Sequence, residues 1–88
     1  LSRFVLSFAT RFAAKEAVSK ALGSGFREGI TLKDVEIVHD SLGCPKVNLY
    51  GKALTRAYFI SKNQNFNMHL TLSNEREYVS AVAVMESL

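Results

Sequence analysis

RFAAKEAVSKALGSG, residues 11–25, is the segment that decides how this chain folds. It holds four alanines, no proline and no glycine before Gly23, a composition that favours a helix. We therefore predict a helix over residues 3–22 that ends at Gly23, where a left-handed residue commonly closes a helix. Gly23, Ser24 and Gly25 then form a loop whose backbone N–H groups can approach a ligand closely.

The apolar residues of this segment predict one buried helix face. They recur at helical spacing, and the predicted face consists of Phe4, Val5, Phe8, Ala9, Phe12, Val18, Ala21 and Leu22. Glu16 and Lys20 continue the aromatic row at the same spacing. One interpretation is a surface ion pair worth about 0.3–0.5 kcal/mol. The other places Glu16 at the rim of a cleft, where it binds Mg²⁺ together with substrate phosphates that Lys20 and Arg11 neutralise.

Composition narrows the class of protein. A chain of 88 residues that is 48% apolar fits one small domain, residues 1–88, whose core is completed by other subunits. Its 11 basic residues are scattered and do not interleave with aromatic residues, which argues against a nucleic-acid partner. A single cysteine, Cys44, cannot form an internal disulfide and favours a cytoplasmic location. No apolar run is long enough to span a membrane, and no membrane partner is predicted.

The remaining sequence predicts an α+β fold. Alternating apolar residues predict two antiparallel hairpins, and helical spacing predicts a short helix between them. The predicted elements are strands at 34–38 and 46–50 around a turn at 39–45, a helix at 51–61, and strands at 68–73 and 78–86 around a turn at 74–77. One long helix and one short helix therefore pack on antiparallel β-hairpins.

The helical segment resembles the signature of the holo-acyl-carrier-protein synthases, the small 4′-phosphopantetheinyl transferases. That signature reads Arg-Phe-Ala-Ala-Lys-Glu-Ala, two variable residues, Lys-Ala and a short Gly-rich loop, which residues 11–25 match closely. GITLKDVEIVHDSLGCPKVNLYGKA, residues 29–53, resembles the family's middle hairpin and short helix. HLTLSNEREYVSAVAVME, residues 69–86, is similar to its closing hairpin.

The resemblance implies an activity and a set of site residues. The implied reaction moves the phosphopantetheine arm of coenzyme A to a serine of apo-acyl carrier protein and releases 3′,5′-ADP. Glu16 would bind Mg²⁺ and, directly or through a water beside it, accept the serine proton, and Lys20 would be a catalytic, phosphate-binding cation. The implied coenzyme A contacts are Arg11, Lys20, Gly23, Ser24, Gly25, Pro45 and His69. The alternative is a non-catalytic module of the same fold that binds coenzyme A or a partner.

The sequence also departs from the family pattern. The family's N-terminal strand carries an aspartate that is the second Mg²⁺ ligand, and a basic helix after it docks the carrier protein. Neither has a counterpart here, so we expect both upstream of Leu1 and expect this chain alone to bind metal poorly. Asn74 replaces a usual histidine and cannot accept a proton at neutral pH. Cys44 replaces a usual lysine near the adenine end of the coenzyme.

The resemblance further implies a homotrimer with its sites at subunit boundaries. A small apolar chain that needs partners to cover its sheet agrees with that assembly. We expect one face of the last strand to be buried between subunits, namely Val79, Ala81, Ala83 and Met85.

Overall fold

The computed structural model describes residues 8–74 and 78–88. In chain order the elements are α1 (Phe8–Ala21), a 3-10 turn (Leu32–Asp34), β1 (Val35–His39), β2 (Pro45–Leu49), α2 (Gly51–Ile60), β3 (Phe66–Asn74) and β4 (Val79–Ser87). The predicted α+β class is confirmed. The predicted helical residues 3–7, including Phe4 and Val5, and residues 75–77 of the last predicted turn lie outside the described residues.

Both predicted hairpins are present. β1 and β2 pair antiparallel with Ile37 opposite Val47, and β3 and β4 pair antiparallel with Leu70 opposite Ala83. In the first turn, the Asp40 Oδ1 atom accepts hydrogen bonds from the backbone N–H groups of Leu42 and Cys44, each at 2.9 Å. These bonds satisfy backbone N–H groups in the turn, where no strand-to-strand hydrogen bonds are available, and this explains why an aspartate suits the position.

α1 packs across β4, with smaller contacts to β1 and β3. Its buried side is a row at spacing four, made of Thr10, Ala14, Val18 and, just past the helix, Leu22. The prediction that the phenylalanines form this side is wrong for the described residues. The Phe8 and Phe12 side chains are 84% and 41% exposed and stack on each other with their ring centroids 6.3 Å apart.

Side-chain size explains this difference. A helix can approach a sheet closely when small side chains face it, and close packing rewards that approach. Ala14 and Thr10 are small enough for the contact, whereas Phe12, two residues before Ala14, points about 160° away around the helix. The aromatic row is therefore turned outward by the same packing that buries the small row.

The prediction for the last strand also needs correction. Ala81, Ala83 and Met85 pack against this chain's own core beneath α1. The alternate residues Val82 and Val84 remain 60% and 55% exposed on the opposite face. The period of two in β4 identified this buried face, but it could not show whether a second subunit or this chain's own α1 covers it.

Among the described residues, no helix is both long and apolar enough to cross a bilayer.

Candidate active site

Glu16 and Lys20 lie one turn apart on the exposed side of α1, in the row that Phe8 and Phe12 begin. No ion pair within 4.0 Å joins them in the part of the chain that the structure describes. The surface ion pair that their spacing suggests is therefore not formed. On the buried side, the Ser19 hydroxyl donates to the Glu16 backbone carbonyl oxygen at 2.7 Å. The Glu16 residue itself is exposed.

The Gly-Ser-Gly loop follows directly on this row. Gly23 and Gly25 have φ angles of +78° and +61°, the left-handed region that glycine adopts without strain. Their N–H groups donate to the carbonyl oxygens of Lys20 at 2.9 Å and of Ser19 at 3.1 Å. Two N–H groups that the sequence assigned to ligand binding are thus used to close the helix, and the contribution of this loop to a site is its shape.

A small cavity lies between the loop and the end of α1. It has a volume of about 320 Å³ and is lined by Lys20, Gly23, Ser24, Gly25 and Arg27. Four of these five residues were predicted from the sequence; Arg27 was missed because no helical spacing relates it to the motif. Two cations at one small cavity suit a phosphate group.

Arg56 supports this cavity from α2. Its Nε–H donates to the Leu22 carbonyl oxygen at 2.9 Å, so a cation lies at the C-terminus of α1, where the helix dipole favours positive charge. A Cβ atom placed on Gly23 would lie 3.2 Å from Arg56 Nη2. Arg56 was not predicted, since 34 residues separate it from Leu22.

Arg11 lies on another side of α1. It lies nine positions before Lys20, which is about two and a half turns and roughly 13 Å of helix, so the two side chains leave opposite sides of the helix. Arg11 lines a separate cavity of about 460 Å³ with Lys15, Lys33, Glu36 and Tyr50, among others. Within one chain, Arg11 and Lys20 are therefore not brought to the same phosphate group.

A hydrogen-bonded carboxylate forms the far wall of this second cavity. The Glu36 Oε1 atom accepts the Tyr50 hydroxyl at 2.7 Å and the Asn48 amide at 3.1 Å. The Tyr50 bond, the Asn48 bond and the positive charge of Lys15 together hold the pKa of Glu36 below its ordinary value of 4.5, despite some desolvation. Glu36 keeps a negative charge beside the cations of this cavity.

His69 lies in a third place, the cleft between the two hairpins. This cleft has a volume of about 660 Å³, and Lys46, Asn48, Tyr50 and Phe66 line it with His69. The His69 Nε2 atom lies 3.0 Å from Glu86 Oε1 on the neighbouring strand. Pro45, the other coenzyme contact predicted in this region, begins β2 directly before Lys46.

Asn74 does not lie in any of these three places. It ends β3, and its Nδ2–H donates to the Thr10 Oγ1 atom at 3.1 Å across 64 residues of sequence. Cys44, the other departure from the family pattern, is exposed in the first hairpin turn, where its N–H donates to Asp40.

The side chains of the described residues show which of them could bind a magnesium ion. No three of their His, Cys, Asp and Glu side chains cluster closely enough to hold a metal ion. Glu16 offers one open carboxylate, which suits Mg²⁺ shared with substrate phosphates, because protein sites often supply only one or two carboxylates. The side chains of residues 8–74 and 78–88 therefore do not suit a metal ion held without further ligands.

Comparison with known proteins agrees with the motif. Residues 2–83 match the family described as the 4′-phosphopantetheinyl transferase superfamily. The chain belongs to that superfamily. Within it, the similarity is to proteins named holo-[acyl-carrier-protein] synthase: that of Halorhodospira halophila is 48% identical over 77 residues, 88% of this chain and 59% of the relative. The synthase of Vibrio cholerae is 49% identical over 78 residues, 89% of this chain and 60% of the relative.

Solved structures show the same fold. The crystal structure of the Neisseria meningitidis synthase matches with 38% identity and a TM-score of 0.73, over 90% of this chain and 61% of that one. The Helicobacter pylori synthase in complex with coenzyme A matches with 28% identity and a TM-score of 0.72, over 89% of this chain and 63% of that one. The chain thus spans about 60% of the length of the relatives that it matches.

Proposed function

We propose that the protein transfers the phosphopantetheine arm of coenzyme A to a serine of apo-acyl carrier protein. One observation carries this proposal: among the described residues Glu16 and Lys20 have no ion-pair partner, both are exposed on adjacent turns of α1, and Lys20 lines the Gly23–Gly25 cavity. The membership of the chain in the superfamily supports the same activity. We propose a cytoplasmic location, because both substrates of this reaction are soluble.

Each residue of the site has a separate role in the proposed reaction. The serine oxygen forms a bond to the β-phosphorus of coenzyme A, the phosphoanhydride bond breaks, and 3′,5′-ADP leaves. Glu16 accepts the serine proton, and Lys20 stabilises negative charge on the phosphoryl oxygens. Arg27, at the same cavity, adds a second cation for the leaving group. Gly23, Ser24 and Gly25 shape the wall along which the coenzyme lies.

Magnesium belongs to this proposal as a shared ion. Glu16 would hold it together with the coenzyme's phosphate oxygens, and an aspartate upstream of Leu1 would be its second protein ligand. When bound, Mg²⁺ supplies charge stabilisation for the transferring phosphoryl group. This arrangement accounts for the lack of an all-protein metal cluster among the described residues.

We further propose that sites form at subunit boundaries of a homotrimer. Arg11, Lys20 and His69 line three separate cavities of one chain. A second copy that brings its hairpin cleft to the outward row of α1 would let His69, Pro45 and Lys46 meet the same coenzyme as Glu16. The exposed Phe8 and Phe12 side chains give that boundary an apolar contact.

A transfer assay tests the proposal. The protein that carries this chain is incubated with coenzyme A, Mg²⁺ and an apo-acyl carrier protein, and intact mass is read on the carrier. We expect a mass gain of one phosphopantetheine arm, no gain on a carrier whose acceptor serine is replaced by alanine, and loss of the gain in excess EDTA. No mass gain on any apo-carrier protein tried would contradict the proposed activity.

The non-catalytic module remains the second candidate. Two observations favour it. Glu16 is the single carboxylate of the outward row of α1, and the Gly23 and Gly25 N–H groups are already bonded to carbonyl oxygens at the helix end. Calorimetry with coenzyme A distinguishes the two. A module binds the coenzyme without any mass gain on the carrier, whereas an enzyme shows both.

A further inference from the structure

A long-range hydrogen bond joins the end of β3 to α1. The Asn74 Nδ2 atom donates to Thr10 Oγ1 at 3.1 Å, and the Thr10 side chain is buried in the core, with only 1% of the residue exposed. Asn74 is the residue that stands where the family pattern has a histidine. The Asn74 side chain is short, and its position at the end of β3 brings its Nδ2–H donor to the buried side of α1.

The position of Thr10 gives this bond a consequence. Thr10 directly precedes Arg11, so the two side chains differ by about 100° around α1. A bond that fixes Thr10 on the buried side therefore fixes the direction in which Arg11 leaves the helix. Arg11 lines the cavity that also holds Lys15 and Lys33, and its guanidinium can serve that cavity only if this turn does not rotate.

We propose that Asn74 is a positioning residue for coenzyme binding, which acts by tethering the turn of α1 that carries Arg11. The inference rests on the proposed function for its consequence, but the tether itself is a property of the fold. Asn74 neither touches the phosphoryl group nor moves a proton. It replaces the family's histidine with a structural donor.

Hydrogen exchange tests the tether. Asn74→Ala, Thr10→Val and the double variant are compared with the wild type, and Thr71→Val is the matched control because Thr71 is an exposed residue of β3. We expect amides of residues 12–14, whose helical acceptors are the carbonyl groups of residues 8–10, to exchange roughly 2- to 10-fold faster in Asn74→Ala, the factor that loss of one hydrogen bond produces. Amides of α2 are the internal reference and should not change.

The double variant gives the decisive result. If the bond carries the effect, Asn74→Ala adds nothing further in the Thr10→Val background. Thr10→Val keeps the shape of the buried side chain but also removes a further interaction of Thr10, so the bond is read from the difference between Thr10→Val and the double variant. Independent, multiplying effects of the two substitutions on exchange would overturn the tether.

Transfer kinetics test the consequence. We expect KM for coenzyme A to rise roughly 3- to 10-fold in both single variants with kcat unchanged, because a binding cation has been displaced and the reacting groups have not. An unchanged KM alongside coupled exchange effects would overturn the positioning role. A wild-type protein without transfer would contradict the proposed function instead, whereas the exchange result decides the tether in either case.

Discussion

At the scale of single residues, the side of α1 on which a side chain lies decides its role. Val18 and Ala14 are fully buried against the hairpins. Glu16, between them in sequence, is exposed and has no ion-pair partner among residues 8–74 and 78–88. Because a helix fixes the direction of its side chains, this position suits the ligand-binding role that we propose for Glu16.

Glu36 gives a prediction at this scale. Its pKa is lowered by the hydrogen bonds from Tyr50 and Asn48, so the folded state favours the carboxylate. That preference stabilises the protein above the unfolded-state pKa and is lost as the pH falls through the folded-state pKa. We expect the wild type to be more stable than Glu36→Gln near neutral pH, and this difference to shrink on acidification below 4.5.

Urea unfolding over a series of pH values measures this difference. Glu28→Gln, which removes an exposed carboxylate from a loop, is the matched control and should show a flat difference. A Glu36→Gln penalty that stays constant or grows in acid would show that its bonds do not favour the charged form.

At the scale of elements, the closure of α1 shapes the candidate site. The Gly23 N–H and the Arg56 side chain satisfy carbonyl groups at the end of the helix. Gly23 and Lys20, which are joined by the first of these bonds, both line the cavity. The bond that closes the helix end therefore also fixes part of the cavity wall.

Two glycine substitutions test this closure. Gly23→Ala and Gly25→Ala both place a side chain at positive φ, which costs roughly 1–2 kcal/mol of folding stability. Only at Gly23 would the new Cβ meet a neighbour, Arg56 Nη2 at 3.2 Å, whereas nothing lies within 4 Å at Gly25. We expect Gly23→Ala to be the more destabilising in urea unfolding. Equal losses, or the reverse order, would contradict the contact.

The positions of helices and strands were easier to predict than the side of each that is buried. The hairpins, both helices and the Gly23 stop follow from local patterns, because turn chemistry and periodicity act within a few residues. α1 carries two apolar rows, however, and only the space above β4 selects Ala14 and Val18 over Phe8 and Phe12. The periodicity of one helix cannot predict which of its rows fits a distant segment in size.

The candidate site shows the same limit. The motif from Glu16 to Gly25 was found because its members are sequence neighbours. The separation of Arg11 from Lys20 could have been predicted from their spacing, because nine positions make about two and a half turns and place the two side chains on opposite sides of the helix. The partners Arg56 and Asn74 could not, since their contacts cross 34 and 64 residues.

At the scale of the whole molecule, the β3–β4 hairpin has one face on the core and one open face. Val82 and Val84 on the open face are 60% and 55% exposed. Contiguous exposed apolar residues on a sheet commonly mark an interaction surface. A homotrimer, as proposed, would cover surfaces of this kind.

Substitution of this face tests the assembly. In Val82→Asp a charge would be buried at any interface formed there, so we expect association to be lost. Leu42→Asp is the matched control, because Leu42 is 88% exposed at a hairpin turn. Sedimentation should give a trimer for the wild type and Leu42→Asp, and one third of that mass for Val82→Asp. An unchanged mass for Val82→Asp would show that this face is not the interface.

The central claim is that the outward row of α1 carries the chemistry through Glu16. The most direct measurement compares initial transfer rates of Glu16→Gln, Glu28→Gln and wild-type protein with coenzyme A, Mg²⁺ and apo-acyl carrier protein. We predict a fall of roughly 100-fold or more for Glu16→Gln, as expected when a group that accepts the proton is removed. Glu28→Gln should keep the wild-type rate. Transfer by Glu16→Gln at the wild-type rate would contradict the account.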